Sequence, residues 1–398
     1  MRVKKETEFI ETEIGEIPKD WEILRIRDIT TIKSGKRPDT IKEFGVYQVW
    51  GANGLMGYTD NNIFVATEES LITGRVGSLG NIFYIEKDSK VWFSDNVLII
   101  YSDKLKTNLK FLYFQLLTRK DDILSLDVGS TQPLLTQSAL KNLLIPLPPL
   151  AEQTRIANVL SWFDDLIENK KRQNEILEKT AMAIFKNWFI DFEPFKNEEF
   201  VYNEELGREI PKGWEIKRLG EEFDLIKGKK CHLHDTNFED FNPYLLIETF
   251  KTGKIEFWTS EKEPQVSESD IVLVADGESS GKIFRYQKGV LGSTLLALKL
   301  KKENNIELKN LVYLNLKLYE DEIMSHRTGS AIPHLDKDFL KSFYILIPPF
   351  PILQKFHSIV EPLFQKIILN QKEIMALRKV RDTLLPLLVF GKLRIEEV

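Results

Sequence analysis

A chain of 398 residues, 29% charged and 42% hydrophobic, is long enough for two independently cored domains and is neither fibrous nor membrane-like in composition. One cysteine, Cys231, excludes an internal disulfide and suits a reducing compartment, so a cytoplasmic location is expected. The net charge of −5 neither announces nor excludes nucleic acid, because binding follows from where basic side chains cluster, not from their sum.

The N-terminal MRVKKETEFIETEIG lacks an apolar run of signal-peptide kind, and residues 1–14 read as a tail or an edge element. Ile17-Pro18-Lys19-Asp20-Trp21 reads as a turn, with Trp21 as an anchor between elements. Short runs rich in Val, Ile, Phe and Tyr follow at 46–50, 63–65, 81–85 and 96–101. Glycine-bearing turns separate them, which predicts a twisted, mostly antiparallel sheet. Residues 109–117 read as a short amphipathic helix and 129–137 as a loop, and 140–147 leads into Pro148-Pro149.

Residues 155–188 contain no proline or glycine. Ile156, Leu160, Phe163, Ile167, Leu177, Ala181, Ile184 and Trp188 share one heptad seam, interrupted by Lys170 and Asn174. This predicts a helix of roughly 50 Å pressed lengthwise against another long helix. The partner seam is Phe356, Val360, Leu363, Ile367, Ile374, Leu377, Leu384 and Leu388, with Asn370 and Arg381 as polar members. Lys170 and Asn370 thus hold equivalent places, where a polar residue costs stability but can set register. Pro362 and Pro386 predict that the second helix is the less regular one. The apolar stretch 384–390 is too short to span a bilayer, so no membrane partner is expected.

The long helices are the most visible parts of a tandem repeat. Glu16-Ile17-Pro18-Lys19-Asp20-Trp21-Glu22-Ile23 returns as Glu209-Ile210-Pro211-Lys212-Gly213-Trp214-Glu215-Ile216. Ser34-Gly35-Lys36 aligns with Lys227-Gly228-Lys229, and Gly129-Ser130-Thr131 with Gly329-Ser330-Ala331. Ile145-Pro146-Leu147-Pro148-Pro149 aligns with Ile345-Leu346-Ile347-Pro348-Pro349. In the second half, strands are expected at 244–248, 271–275, 282–286, 294–300 and 343–347, a helix at 310–320, and a polar loop at 328–334. The globular parts are less alike inside than at their edges, so two similar frames carry different contents.

Catalytic signatures do not assemble. Pro348-Pro349-Phe350 invites comparison with the Asn/Asp-Pro-Pro-Tyr/Phe signature of amino-methyltransferases, but Ile347 and Leu147 precede the two Pro-Pro pairs and cannot accept a hydrogen bond from a base. The prolines are better read as setting how the chain enters each helix. Asn242-Pro243-Tyr244 lacks the second proline. Gly277-Glu278-Ser279-Ser280-Gly281-Lys282-Ile283 is one residue short of a phosphate loop and carries Ile where the Mg²⁺-binding hydroxyl belongs. Cys231-His232-Leu233-His234-Asp235 has no second ligand pair, so no metal is expected. Five histidines leave little material for a nucleophile–base pair.

Taken together, these features resemble the specificity subunit of type I restriction–modification systems, over nearly the whole chain. The stretches that carry the resemblance are Leu71-Ile72-Thr73-Gly74-Arg75-Val76-Gly77-Ser78-Leu79-Gly80-Asn81-Ile82 with residues 92–100, WFSDNVLII, and the counterpart at 270–282 with 289–294. Pro148-Pro149-Leu150-Ala151-Glu152-Gln153-Thr154-Arg155-Ile156 also looks like the family's approach to its first helix, whereas Pro351-Ile352-Leu353-Gln354-Lys355-Phe356 departs from it. The resemblance implies an α+β chain of two β-rich target-recognition domains, at 1–150 and 199–350, separated by two long antiparallel helices at 151–198 and 351–398. Each domain would read one half of a split, asymmetric site in double-stranded DNA. The helices would act as a coiled-coil spacer and dock two modification (methyltransferase) subunits. S-adenosylmethionine, ATP and Mg²⁺ would belong to those and to separate restriction subunits, leaving this chain non-catalytic and without a cofactor of its own.

Base edges call for Arg, Asn, Gln, Lys or Ser on loops, and phosphates for Lys, Arg and exposed amides. Lys36, Arg37, Asn53, Arg75, Ser78 and Gln132 meet that description in the first half, and Lys229, Lys230, Ser279, Ser280, Lys282, Arg327 and His334 in the second. Arg75 and Lys282 lead, because each adjoins a glycine that allows close backbone approach. Two rival functions remain: a two-headed protein-binding scaffold, and a DNA methyltransferase with an unrecognised site.

Overall fold

A computed structural model describes residues 7–60, 68–302, 305–329 and 332–395. The strand expected at 63–65 lies outside them. The chain divides into two compact units, Met1–Leu166 with Leu377–Val398, and Ile167–Ala376. Each unit therefore contains one β-rich head and part of both long helices, a different partition from separate heads and spacers.

In the first unit a four-stranded antiparallel sheet runs in the order Thr30–Ser34, Val97–Ser102, Ser70–Gly74, Ile82–Ile85. Beside it Gly54–Thr59, Tyr47–Gly51 and Val91–Phe93 form a second sheet, with one parallel pairing between the last two. The second unit repeats both. Phe223–Lys227, Leu295–Leu300, Ile271–Val274 and Ile283–Phe284 make the antiparallel sheet, and Asn242–Leu245 pairs in parallel with Gly289–Leu291 in the other. The two central strands are apolar on both faces (Leu71, Ile72, Leu98 and Ile99; Ile271, Val272, Leu296 and Ala297), because each sheet has core on both sides. Of the segment 1–14, residues 7–14 are described and supply an edge element, Phe9–Ile10 paired with Ile17–Pro18, while residues 1–6 lie outside the described part. The helix expected at 109–117 spans Leu109–Thr118, and its counterpart spans Glu307–Leu318. The polar loop at 328–334 is a small hairpin, Arg327–Thr328 with His334–Leu335, of which residues 330–331 are outside the described part.

One strand expectation fails. The run at 244–248 is strand only to Leu245, and Ile247–Thr252 is a helical turn. Thr249 accepts from the Leu246 amide through its hydroxyl, and Gly253 closes the turn in the left-handed region at φ 73°. The signal was present, since a glycine after Lys251 is a helix stop.

The long helices are Leu150–Phe185 and Phe350–Val389. Pro149 and Pro349 stand just before them, their carbonyls taking the first helical bonds from Gln153 and Leu353. Within each unit the helices run antiparallel. In the second unit Lys170 pairs with Glu373, Asn174 with Asn370, and Phe185 with Phe356. In the first unit Asp164 pairs with Arg381, and Glu152 with Arg394. Ile156, Leu160, Phe163, Ile167, Phe356, Val360 and Ile367 are buried along the seam as expected. Leu177, Ile184, Leu363, Leu377, Leu384 and Lys170 are half-buried.

Two features of the seam differ from expectation. Towards the end of the first helix Ala181 is buried as expected, but beyond it Phe185 and Phe189 take the buried positions instead of Ile184 and Trp188. A strict heptad drifts around a 3.6-residue helix, and here a π-helical turn over Lys186–Ile190 adds to the rotation. The second helix, expected to be the less regular, continues through both prolines. Pro362 and Pro386 are exposed, so their rings and the carbonyls they leave unbonded face water rather than the seam.

Both anchoring tryptophans are buried, and each is closed over by the segment that follows a long helix. Phe189, Phe192 and Phe195 pack on Trp214 with ring centroids 5.4, 5.5 and 5.1 Å away. On Trp21 the covering residue is Gly391, at φ +70°, where a Cβ would fall 2.9 Å from the indole. Trp214 is thus covered from the end of the first helix, and Trp21 from the end of the second.

Candidate nucleic-acid interface

In each unit the antiparallel sheet ends at a rim of loops built by the same main-chain bonds. In the first unit Arg75 N donates to Asn96 O (2.7 Å), Leu135 N to Arg75 O (2.8 Å), and Gly77 N to Pro133 O (3.0 Å). In the second unit Ala275 N donates to Thr294 O (2.8 Å), Leu335 N to Ala275 O (2.9 Å), and Gly277 N to Pro333 O (2.9 Å). The basic loops are fastened alike, by Lys36 N to Phe93 O (2.9 Å) and Lys229 N to Leu291 O (3.1 Å). An aromatic donor clamps each loop: Trp92 Nε1 on the Lys36 carbonyl (2.6 Å), Tyr244 OH on the Lys229 carbonyl (2.8 Å).

Glycine is required where these loops touch. A Cβ on Gly35 would lie 2.0 Å from Ser94 O, and one on Gly228 2.1 Å from Gly292 O. Gly74 is equally confined, with Ser78 O at 1.9 Å from its would-be Cβ. That close reversal brings Ser78 back beside Arg75. Asn81 ties in the remaining loop through Nδ2 to the Ala52 carbonyl and Asn53 Oδ1, both 3.3 Å. Gln132 lies against Gly77, its Nε2 3.7 Å from the position of a Cβ there.

All six residues singled out in the first half therefore belong to one rim. Lys36, Arg37, Asn53 and Gln132 are exposed, and Arg75 and Ser78 half-buried. In the second half Lys229, Lys230, Arg327 and His334 are exposed, and Ser279 and Lys282 half-buried. Arg327 Nη1 donates to the Glu278 carbonyl at 2.6 Å, which brings it over the Gly277–Gly281 turn. Ser280 is a correction: it is fully buried with its Oγ unpartnered, because the turn folds it inward, so it has no face to offer a ligand. By main-chain bonding the counterpart of Arg75 is Ala275, while Lys282, like Asn81, immediately precedes the fourth strand.

The second rim holds a cluster not anticipated from the sequence. Asp276 accepts from Lys227 Nζ (2.6 Å) and lies 2.8 Å from His334 Nδ1. Burial pushes the Asp276 carboxyl up, but Lys227 and His334 outweigh it and hold it below its ordinary value. The first rim has Ser34, Val76 and Leu134 at these places, so the same frame carries an ion cluster in one unit and apolar or hydroxyl groups in the other. The alignment of Lys227 with Ser34 was a signal for it; Asp276 needed the Val76–Leu134 and Asp276–His334 bridges to be seen.

Comparison with known proteins agrees with this duplicated architecture. Residues 18–179 and 211–379 match the family described as type I restriction modification DNA specificity domain. The chain belongs to that family. The MjaIX specificity subunit of a type I restriction enzyme from Methanocaldococcus jannaschii is 39% identical, with 100% of this chain and 99% of that protein covered. The MjaVIII specificity subunit of the same organism is 27% identical over 100% of this chain and 99% of its own length. The crystal structure of a type I system S subunit from M. genitalium shares the fold, with a TM-score of 0.58 at 23% identity, covering 95% of this chain and 97% of that one. As a type I specificity subunit the chain has a role in DNA sequence recognition, not catalysis. Among the described residues of this specificity subunit no group of His, Cys, Asp and Glu could hold a metal ion, and no helix is long and apolar enough to cross a membrane.

Proposed function

We propose that this specificity subunit reads a bipartite, asymmetric site in double-stranded DNA, one half with each loop rim, and that the paired helices set the gap and dock two modification subunits. The observation that supports this most directly is the duplicated rim: the same main-chain bonds hold Arg75 with Gln132 in one unit and Lys227, Asp276 and His334 in the other. A shared frame with different contents is what two unlike half-sites require. The binding energies of the two heads add, less one cost of association, so specificity multiplies while each head stays small. S-adenosylmethionine belongs in this scheme to the modification subunits, and ATP and Mg²⁺ to restriction subunits.

The test is to co-express the chain with its modification subunit, map the methylated sites, and follow binding of the complex to such a site across a salt series. A two-part motif and a steep loss of affinity with rising salt are expected, because cations on phosphates release counterions. Affinity that is flat with salt and indifferent to sequence would favour a protein-binding scaffold. Methyl transfer by the isolated chain would favour an enzyme.

A further inference from the structure

We infer that Arg75 reads a guanine, and that its slot is where the two half-sites part company. This rests on the proposed DNA recognition and assigns one contact within it. Arg75 is held on both sides by main chain, through its amide to Asn96 O and its carbonyl to Leu135 N, and it adjoins the Gly74 reversal. Its backbone position is thereby set at the lip of the rim, while its side chain has no hydrogen-bond or ion-pair partner among the described residues.

Other enclosed arginines differ in that respect. Arg119 holds Asp122, Arg285 holds Asn310, Arg381 holds Asp164, and Arg394 holds Glu152 with Asp20. Arg208 donates to the Phe189 and Ile190 carbonyls. A half-buried arginine left without an acid retains its donor fork for a ligand. That fork matches the O6 and N7 acceptors of guanine in the major groove, a pairing no other base edge reproduces. The equivalent slot of the second unit is Ala275, beside an Asp276 already engaged by Lys227 and His334. The second half-site is therefore read without this contact.

The experiment compares methylation maps for complexes of the modification subunit with wild-type chain, Arg75→Ala and Arg75→Lys. In the alanine variant one position of one half-site, guanine in the wild-type motif, becomes degenerate, with discrimination falling about 5- to 150-fold. The lysine variant keeps the charge and can still reach O6 or N7 without the rigid fork, so it retains a weakened guanine preference at the same position and guards against misfolding of the alanine variant. Loss at a position that is not guanine, or an equal loss on all sequences that lysine restores, makes Arg75 a phosphate contact and overturns the inference. A two-part wild-type motif unchanged in both variants overturns it as well. A wild-type map with no two-part motif overturns the DNA reading itself, and this assignment with it.

Discussion

Arg394 offers a demanding test of how the first unit is closed. The residue is 7% exposed, and its guanidinium makes four hydrogen bonds: Nε to Glu152 Oε1 (2.8 Å), Nη2 to Glu152 Oε2 (2.6 Å), Nη1 to Asp20 Oδ1 (2.7 Å) and Nη2 to Asp20 Oδ2 (2.8 Å). Glu152 is 3% exposed, so Arg394→Met would strand a carboxylate in the core, at a cost of about 3–5 kcal/mol. Asp20 is half-exposed and can return to water, so it adds little. In a unit of this size the loss is a fall of roughly 10 °C in Tm. The double variant Arg394→Met/Glu152→Met removes the stranded charge and should recover most of the loss, because an apolar pair of similar volume matches or exceeds a buried ion pair. Urea unfolding followed by tryptophan fluorescence suits the measurement, since Trp21 lies next to both Asp20 and Gly391. A single variant within 1 kcal/mol of wild type, or a double variant no better than the single, would refute the reasoning.

In the second unit Asp270 is buried, and burial opposes its charge, yet Lys299, Lys309 and Ser267 bring its pKa down to about 2 from 3.8. A depressed pKa stabilises fully above the unfolded value and is lost as pH falls towards the folded one. Between about pH 4 and pH 2 the wild type should therefore lose about 2 kcal/mol more than Asp270→Asn; parallel pH profiles in urea would contradict this. Asn370 is fully buried and donates to Asn174 Oδ1 at 2.8 Å. Asn370→Leu should leave stability within about 1 kcal/mol or raise it while loosening register. Spin labels at positions 172 and 372, in a Cys231→Ser background, should show a broadened distance distribution, and a single sharp distance would count against the register role. Gly35→Ala and Gly228→Ala should each impair recognition of one half-site, because the added methyl meets a fixed carbonyl at about 2 Å; equal impairment of both half-sites would argue against separate rims. Four residues inserted into both helices should lengthen the recognised gap by about 6 Å, or two base pairs, and an unchanged spacing in the methylation map would rule out a ruler.

The amino-acid sequence by itself determined the duplicated frame, the two long helices, the burial of Trp21 and Trp214, and the strand runs of the central sheets. These follow from periodicity and local chemistry, which a linear sequence carries openly: heptad spacing, Pro-Pro before a helix, alternation of apolar runs with glycine turns. Even the helical turn at Ile247–Thr252 was written in Gly253. What only the tertiary structure decided concerns partners far apart in the chain. That Ala275 answers to Arg75 depends on which carbonyl each amide finds across the rim. That Ser280 turns inward, and that Asp276 gathers Lys227 and His334, depends on loops converging from three separate segments. The continuity of the second helix through Pro362 was decided by which side of the helix faced water, a property set by the partner helix rather than by the proline. Contact between residues remote in sequence is a property of the packed chain, and no local pattern encodes it.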